Sequence, residues 1–369
     1  MNQLKQDLIY LLACAINGIV PDKARTAAID LDQLFRFCKW HSLRGIVHLA
    51  LKSAGIKDKT FEDAYNKVVR KNVMLDIERN AILDDFEQHG IWYLPLKGSI
   101  LKEYYPENGM REMADNDVLY DSSRQSEVKD IMLGKGYTAE SVGKDHHDIY
   151  IKHPVLNFEL HTSLFEEDIK SLYNYYLDTR RLMKPDNGKK YGYHFSDEDF
   201  YVYITAHEYK HFKIAGVGIR NLLDCYVFMK NKGESLDWDY IKEQCRQLEM
   251  DDFEEKRRLL AMKLFSSAKL PVLNDTEQEL LRMYLDYGTY GTVEKQMSNM
   301  MPEKTKFRNI LRNMFPTPEY MKISVGFVKK YPFLYPLGIV YRWGRVLLIR
   351  KKYLFTMLRV MKKNDKKKV

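Results

Sequence analysis

The sequence predicts an α+β fold, in which a small mixed β-sheet is flanked by N-terminal and C-terminal helical regions. Apolar residues recur at three- and four-residue spacing near both ends of the chain, as on amphipathic helices. The middle instead contains short β-prone runs separated by Gly and Pro turns. We therefore predict four regions: an N-terminal helical region at 1–89, a sheet-containing core at 90–168, a helical domain at 169–300 and a basic amphipathic segment at 301–369.

The composition excludes several protein classes. The longest uncharged apolar run, residues 331–341, contains two prolines and is far shorter than the roughly 20 residues of a membrane-spanning helix. The four cysteines are widely spaced and form no CxxC pair, which predicts reduced thiols and argues against a cysteine zinc site. The chain has no basic-then-apolar N-terminal signal. We expect a cytoplasmic protein.

The net charge of +8 is unevenly distributed. Residues 322–369 contain 14 Lys or Arg and one acid, Asp365, so they carry +13 and the rest of the chain carries −5. Any anionic partner should therefore meet the tail, and we predict peripheral contact of residues 322–368 with an anionic membrane or nucleic acid. A docked helix with a solvated charged face explains the same pattern.

The N-terminal region should be helical. Residues 4–16, 31–39 and 61–89 each carry apolar residues at helical spacing, and Gly90 is a natural stop for the last of these segments.

A strand, turn and helix are predicted next. Residues 91–96 form a β-prone run that Lys97, Gly98 and Ser99 end, and Ser99 is the expected N-cap of a following helical turn. Glycine allows close approach of a ligand, and the N–H groups at a helix start attract anions. A plain capped helix without a ligand explains the same residues.

Paired carboxylates follow on a predicted strand, Ala114 to Tyr120. Asp115 and Asp117 are two residues apart, so both side chains should lie on one face of the sheet. Two carboxylates at this spacing repel each other unless a cation lies between them. The alternative is a polar loop in which Asp115 forms an Asx turn.

A third carboxylate is predicted on a β-hairpin formed by residues 147–152 and 155–161. The second strand alternates, which places Glu159 and His161 on the face opposite Phe158. If Glu159 shares a face with the aspartates, three carboxylates surround one space, which suits a hard cation such as Mg²⁺. A solvent-facing edge hairpin explains Glu159 equally well.

The predicted helix that begins near residue 196 contains the run His207-Glu208-Tyr209-Lys210-His211. The run has the length of a His-Glu-x-x-His motif, but no third metal ligand follows and Lys210 would repel a dication. We instead expect this helix face to line an anionic ligand, with Lys210 as a contact.

Taken together, these motifs resemble a known superfamily. Gly98-Ser99, Asp115-x-Asp117 and Glu159, in that order, resemble the DNA polymerase β-like nucleotidyltransferases. The chain resembles more narrowly the bacterial family of uncharacterised nucleotidyltransferases. That resemblance rests on Leu96 to Ser99, Arg111, the Glu159-x-His161 strand, the helix leading to Asp224 and the Met314-Phe315-Pro316 stretch.

The resemblance implies transfer of a nucleoside monophosphate from a nucleoside triphosphate, with ATP expected, to a hydroxyl group of a small molecule, sugar or protein. It implies Mg²⁺ or Mn²⁺ held by Asp115, Asp117 and Glu159, and phosphates held by Gly98 and Ser99. Lys97 and Arg111 are candidate charge neutralisers. Asn116, Tyr120 and Ala114 depart from the family pattern. They leave open a catalytically degenerate nucleotide-binding or scaffold protein that acts at an anionic surface through its basic tail.

Overall fold

The computed structural model describes residues 1–167, 169–289, 321 and 331–341. The chain divides into two compact units, of which the first comprises residues 1–209 and 218–289 and the second comprises residues 210–217 and 290–369. Apart from residues 331–341, the predicted contact surface at 322–368 lies outside the described residues. The four predicted regions stay predictions.

Five helices precede the sheet: α1 Gln3–Ile16, α2 Lys23–Ala27, α3 Leu31–His41, α4 Arg44–Ser53 and α5 Lys59–His89. The side chains of Asn2, Asp30 and Asp58 accept hydrogen bonds from backbone N–H groups in the first turns of α1, α3 and α5. Gly90 ends α5 with φ 69°, a conformation that glycine adopts without strain. The predicted N-terminal helices are confirmed.

The central sheet is small and mixed, as predicted. Its strands are β1 Tyr93–Pro95, β2 Asn116–Tyr120, β3 Thr138–Ser141, β4 His147–Lys152 and β5 Leu156–His161. Their order in the sheet is β1-β2-β5-β4-β3. The pair β2–β5 is parallel and the others are antiparallel. Two helices, α6 Gly98–Leu101 and α7 Gln125–Gly134, interrupt the strands. The α+β fold class is confirmed.

One face of the sheet is a hydrophobic core. Phe158 and Leu160 from β5 and Val118 and Tyr120 from β2 belong to a single cluster of buried residues together with apolar side chains of α5 and α7. Because side chains alternate along a strand, the residues between these positions lie on the opposite face. The core therefore leaves one face of the sheet available for the polar residues.

The remainder of the described chain is mostly helical. Its elements are α8 Lys170–Tyr176, β6 Met183–Pro185, β7 Tyr193–Phe195, α9 Asp197–Ile214, α10 Arg220–Lys232, α11 Trp238–Gln247, α12 Asp251–Phe265 and α13 Asp275–Asp286. The antiparallel pair β6–β7 was not predicted, and it joins the edge of the main sheet through a bridge between Tyr93 and Gly192. Short strands of three residues carry too little pattern to be recognised in a sequence.

Glu208, in the His-Glu-Tyr-Lys-His run, is buried and has structural partners. Arg257 of α12 donates from Nε to Glu208 Oε2 at 2.7 Å, and Tyr284 of α13 donates its hydroxyl to the same carboxylate. This carboxylate connects α9 to two other helices. Its contacts agree with the interpretation that the run is not a metalloprotease motif.

All four cysteines are buried free thiols, as expected. No helix in the described part of the chain is both long enough and apolar enough to span a bilayer.

Candidate active site

The parallel pairing of β2 and β5 brings two of the predicted carboxylates together. Asp117 is the register partner of Glu159, so both side chains lie on the face opposite the core. His161, two residues after Glu159, shares this face. One ligand atom from each of Asp117, Glu159 and His161 lies within 4.8 Å of the others. The space between β2 and β5 therefore has the donor atoms of a cation site.

Asp117 is buried, and two side chains, those of Lys97 and His161, contact its carboxylate. Lys97 donates from Nζ to Asp117 Oδ1 at 2.7 Å, and His161 Nε2 lies 2.9 Å from the same oxygen. Burial alone would raise the pKa of Asp117, but the Lys97 charge and the His161 hydrogen bond together lower it below its ordinary value. Asp117 is therefore ionised at neutral pH.

Asp115 lies immediately before β2. Ladder pairing with β5 begins at Asn116, so the predicted strand start at Ala114 is two residues too early. Burial and the charges of Asp117 and Glu159 raise the pKa of Asp115 to about 7. The charges of Asp117 and Glu159 therefore act on Asp115, although the group of ligand atoms within 4.8 Å of one another contains Asp117, Glu159 and His161 and not Asp115. A bound cation would relieve the repulsion among the carboxylates.

We expect Asp115→Asn to stabilise the metal-free protein. A carboxyl group with a raised folded-state pKa binds protons more tightly when folded, so the free energy of unfolding falls as pH rises from about 4 to about 7. The neutral amide removes this loss and should raise the free energy of unfolding at pH 8 by about 2 kcal/mol. Urea unfolding in EDTA at pH 5 and pH 8 measures the effect. Asp130→Asn, an exposed change on α7, is the control, and equal behaviour of the two variants would contradict the charge repulsion.

The turn after β1 lies beside Asp117. Leu96 N donates to Asp117 O at 2.9 Å, which connects the end of β1 to the strand that carries the aspartate. Lys97 has φ 46° and ψ −114°, a backbone conformation that costs a non-glycine residue about 1–3 kcal/mol. Such strain concentrates at functional sites, and here it accompanies the Lys97–Asp117 ion pair.

Ser99 is not the N-cap of α6. The helix begins at Gly98 with Lys97 as its N-cap, and the Ser99 hydroxyl donates to Leu96 O at 2.8 Å. The N-cap prediction is wrong because the helix starts inside the turn, one residue before Ser99. Ser99 instead stabilises the turn itself.

Gly98 is closely packed against two side chains. A Cβ atom at this position would lie 2.5 Å from Arg111 Nη1 and 2.9 Å from Met113 Cε. We expect Gly98→Ala to lower the free energy of unfolding by about 1–3 kcal/mol, since both neighbours are buried. Gly134→Ala on α7, where nothing lies within 4 Å, is the matched control and should be neutral or stabilising in the same urea titration. A loss at both positions, or at neither, would contradict the packing explanation.

Arg111 lies in a buried ion pair. Its Nε and Nη2 donate to Asp224 Oδ1 and Oδ2 at 2.8 and 3.0 Å, and Tyr105 donates its hydroxyl to the same carboxylate. The charge of Asp115 also acts on Arg111. Arg111 therefore fixes α10 to the segment before β2. Its predicted contact with phosphates stays a prediction. Lys210 is buried but belongs to the second unit, and its assignment also stays a prediction.

Two residues near the carboxylates were not given a role from the sequence. His161 was placed on the correct face by strand alternation, but no partner could be assigned. Tyr203 of α9 is fully buried, and its hydroxyl has no hydrogen-bond partner among the described residues. Burial raises the pKa of Tyr203, and the charges of Asp117 and Glu159 contribute, while Lys97 opposes them. Tyr203 therefore lies within electrostatic range of the site, a position that no sequence signal indicates.

The profile of the uncharacterised nucleotidyltransferase family matches residues 27–266, well over half of the chain. The chain belongs to this family. The matched segment of this nucleotidyltransferase family member contains all five strands of the main sheet and every site residue named above. The resemblance stated from the sequence is confirmed.

A structural similarity was also found. The crystal structure of an antigenic nucleotidyltransferase-like protein from Paracoccidioides brasiliensis is 14% identical in sequence, covers 55% of this chain and 94% of its own, and superposes with a TM-score of 0.32. No curated protein matches the chain.

Proposed function

We propose that this protein is a metal-dependent nucleotidyltransferase that transfers a nucleoside monophosphate from a triphosphate, in the first instance ATP, to a hydroxyl acceptor on a small molecule, sugar or protein. The observation that carries the proposal is the register of β2 and β5. In this register Asp117 lies beside Glu159. The charges of both residues act on Asp115, and the hydrogen bond from Leu96 N to Asp117 O connects the strand to the turn at residues 97–99.

The donor set fits Mg²⁺ or Mn²⁺. Asp115, Asp117 and Glu159 offer only oxygen atoms, which hard cations prefer. Burial raises the pKa of Asp115, the charges of Asp117 and Glu159 raise it further, and the charges of Lys97 and Arg220 offset this only in part. When bound, such an ion would neutralise charge on the triphosphate and on the leaving pyrophosphate.

The chain's own residues would then position the reactants. Lys97 is paired with Asp117, and its ammonium group would contact phosphate oxygens instead when a triphosphate binds. Gly98 and Ser99 would offer backbone N–H groups at the start of α6. Glu159 would take the proton of the acceptor hydroxyl group while the oxygen of that hydroxyl group attacks the α-phosphorus. The bond from that phosphorus to the β-phosphate oxygen breaks, and pyrophosphate leaves. Arg111 and Lys210 are further proposed neutralisers of phosphate charge.

Mg²⁺-dependent pyrophosphate release tests this function. Each of the four common nucleoside triphosphates is incubated with the protein and pooled acceptors of each class, with Mg²⁺ or with EDTA. We expect release only with Mg²⁺, together with label from [α-³²P]ATP in one acceptor class. Absence of release with every triphosphate and every acceptor class would contradict enzymatic activity.

The alternative is a degenerate nucleotide-binding or scaffold protein. The departure at Asn116 does not favour it, because the Asn116 amide is buried on the core side, where it donates to Leu75 O at 2.9 Å. Because Asn116 faces α5, it removes no metal ligand from the opposite face of the sheet, where Asp117 and Glu159 lie. Triphosphate binding without turnover would nevertheless favour the alternative.

Contact with the inner membrane face or with nucleic acid is a further hypothesis, supported by the charge of +13 on residues 322–369. Sedimentation with anionic vesicles and with RNA, using chains with and without these residues, tests it. A cytoplasmic location is a separate hypothesis, supported by the four free thiols.

A further inference from the structure

Three histidines converge at the end of the sheet next to the carboxylates. His147 of β4 is the antiparallel register partner of His161 of β5, so their side chains lie opposite each other on one face. His146 immediately precedes β4, and its carbonyl oxygen accepts from Thr162 N at 2.9 Å. One ring nitrogen of each histidine lies within 4.8 Å of the others.

The distances fit a metal ion with nitrogen ligands. His147 Nδ1 lies 3.2 Å from His146 Nε2. Two ligands of a tetrahedral ion with zinc–nitrogen bonds of about 2.0–2.1 Å are separated by about 3.4 Å. These two nitrogens are therefore already spaced as neighbouring ligands of such an ion.

Two of the rings are oriented as metal-binding histidines commonly are. His146 Nδ1 lies 3.0 Å from Asp145 Oδ1, and His161 Nε2 lies 2.9 Å from Asp117 Oδ1. A carboxylate on one ring nitrogen holds the proton there and leaves the lone pair on the other nitrogen. In His161 that other nitrogen, Nδ1, is buried and has no hydrogen-bond partner in the described part of the chain. A buried lone pair without a donor is costly, and a metal ion would satisfy it.

We propose that His146, His147 and His161 form a binding site for one transition-metal dication of the Zn²⁺ class, distinct from the oxygen-ligand site of Asp115, Asp117 and Glu159. Without metal, the close pair His146–His147 shares one hydrogen bond; with metal, both nitrogens become ligands. His161 connects the two sites, since its Nε2 contacts Asp117. This site does not depend on the proposed nucleotidyl transfer.

Co²⁺ and Zn²⁺ binding to the full chain, purified without a polyhistidine tag, tests the proposal. Excess Mg²⁺ in the buffer occupies the oxygen ligands, so Co²⁺ should bind only at a site with nitrogen ligands. We expect one equivalent of Co²⁺ with the visible absorption of nitrogen coordination, and its displacement by one equivalent of Zn²⁺. Absence of this absorption would overturn the proposal.

Variants locate the metal. His146→Gln and His147→Gln should each weaken Co²⁺ binding by about 100-fold or more, whereas Asp145→Asn should weaken it by about 10-fold. His194→Gln, which changes an exposed histidine that also contacts an aspartate, is the matched control and should bind normally. Unchanged affinity in both histidine variants, or an equal loss in His194→Gln, would overturn the proposal.

A measurement on the parent chain tests the site without relying on variants, which could misfold. Paramagnetically shifted imidazole N–H resonances in the Co²⁺-loaded protein count the coordinated rings. Three such rings are expected, and two or fewer would contradict the site.

Discussion

Asp117→Asn should reduce Mg²⁺-dependent pyrophosphate release by about 1,000-fold, since loss of one preorganised electrostatic contact at a transition state typically costs this order of rate. Three other site residues lie next to Asp117. Lys97 and His161 lie within hydrogen-bond distance of its Oδ1, and Glu159 is its register partner. The amide keeps the size of the side chain but removes the charge. The loss should therefore fall mainly on kcat and on the Mg²⁺ requirement.

Asp130→Asn on α7 serves as the control for this variant and should retain full activity. Circular dichroism of both proteins checks that the sheet is intact. If Asp117→Asn and the parent release pyrophosphate at equal rates, the catalytic assignment is wrong.

Arg111→Met should lower the free energy of unfolding by about 3–5 kcal/mol, because it leaves the buried carboxylate of Asp224 without its cation. Arg111 and Asp224 are each under a tenth exposed and form two hydrogen bonds with each other. Arg124→Met is the control, since the Arg124–Glu127 pair at the start of α7 is partly exposed and should contribute at most about 1 kcal/mol. Urea unfolding measures both changes.

The double variant Arg111→Met/Asp224→Leu separates a structural role from a nucleotide-binding role. Removal of both charges should recover much of the lost stability, as is common when a buried ion pair is replaced by apolar residues. Nucleotide binding as the main role of Arg111 would instead give a single variant of normal stability with a raised KM for the triphosphate.

Patterns with long or regular periods were predictable from the sequence. Helix α5 has apolar residues over many turns and a glycine stop, and β5 alternates strictly, so both were recognised. The predicted start of β2 at Ala114 is too early, because Asp115 and Asn116 are both polar and their pattern does not mark where the strand begins. Only the ladder with β5 shows where pairing begins. The pair β6–β7 was too short to show any pattern.

The site was only partly predictable for a different reason. The spacing of Asp115 and Asp117 and the alternation around Glu159 predicted which face each side chain would take. Which distant groups pack against them depends on tertiary structure. Neither the burial of Tyr203 within electrostatic range of Asp117 nor the pairing of Arg111 with Asp224 leaves a local signal. The histidine cluster likewise depends on the register between β4 and β5.

We propose that Asp117 and Glu159 hold a metal ion beside the turn at Gly98. Crystals grown with Mn²⁺ and a non-hydrolysable ATP analogue provide the most direct measurement, through the anomalous signal of manganese. We expect a manganese peak between β2 and β5, bound to Asp117 and to phosphate oxygens that contact the turn. A triphosphate bound elsewhere, or a manganese ion without Asp117 as a ligand, would contradict the proposal.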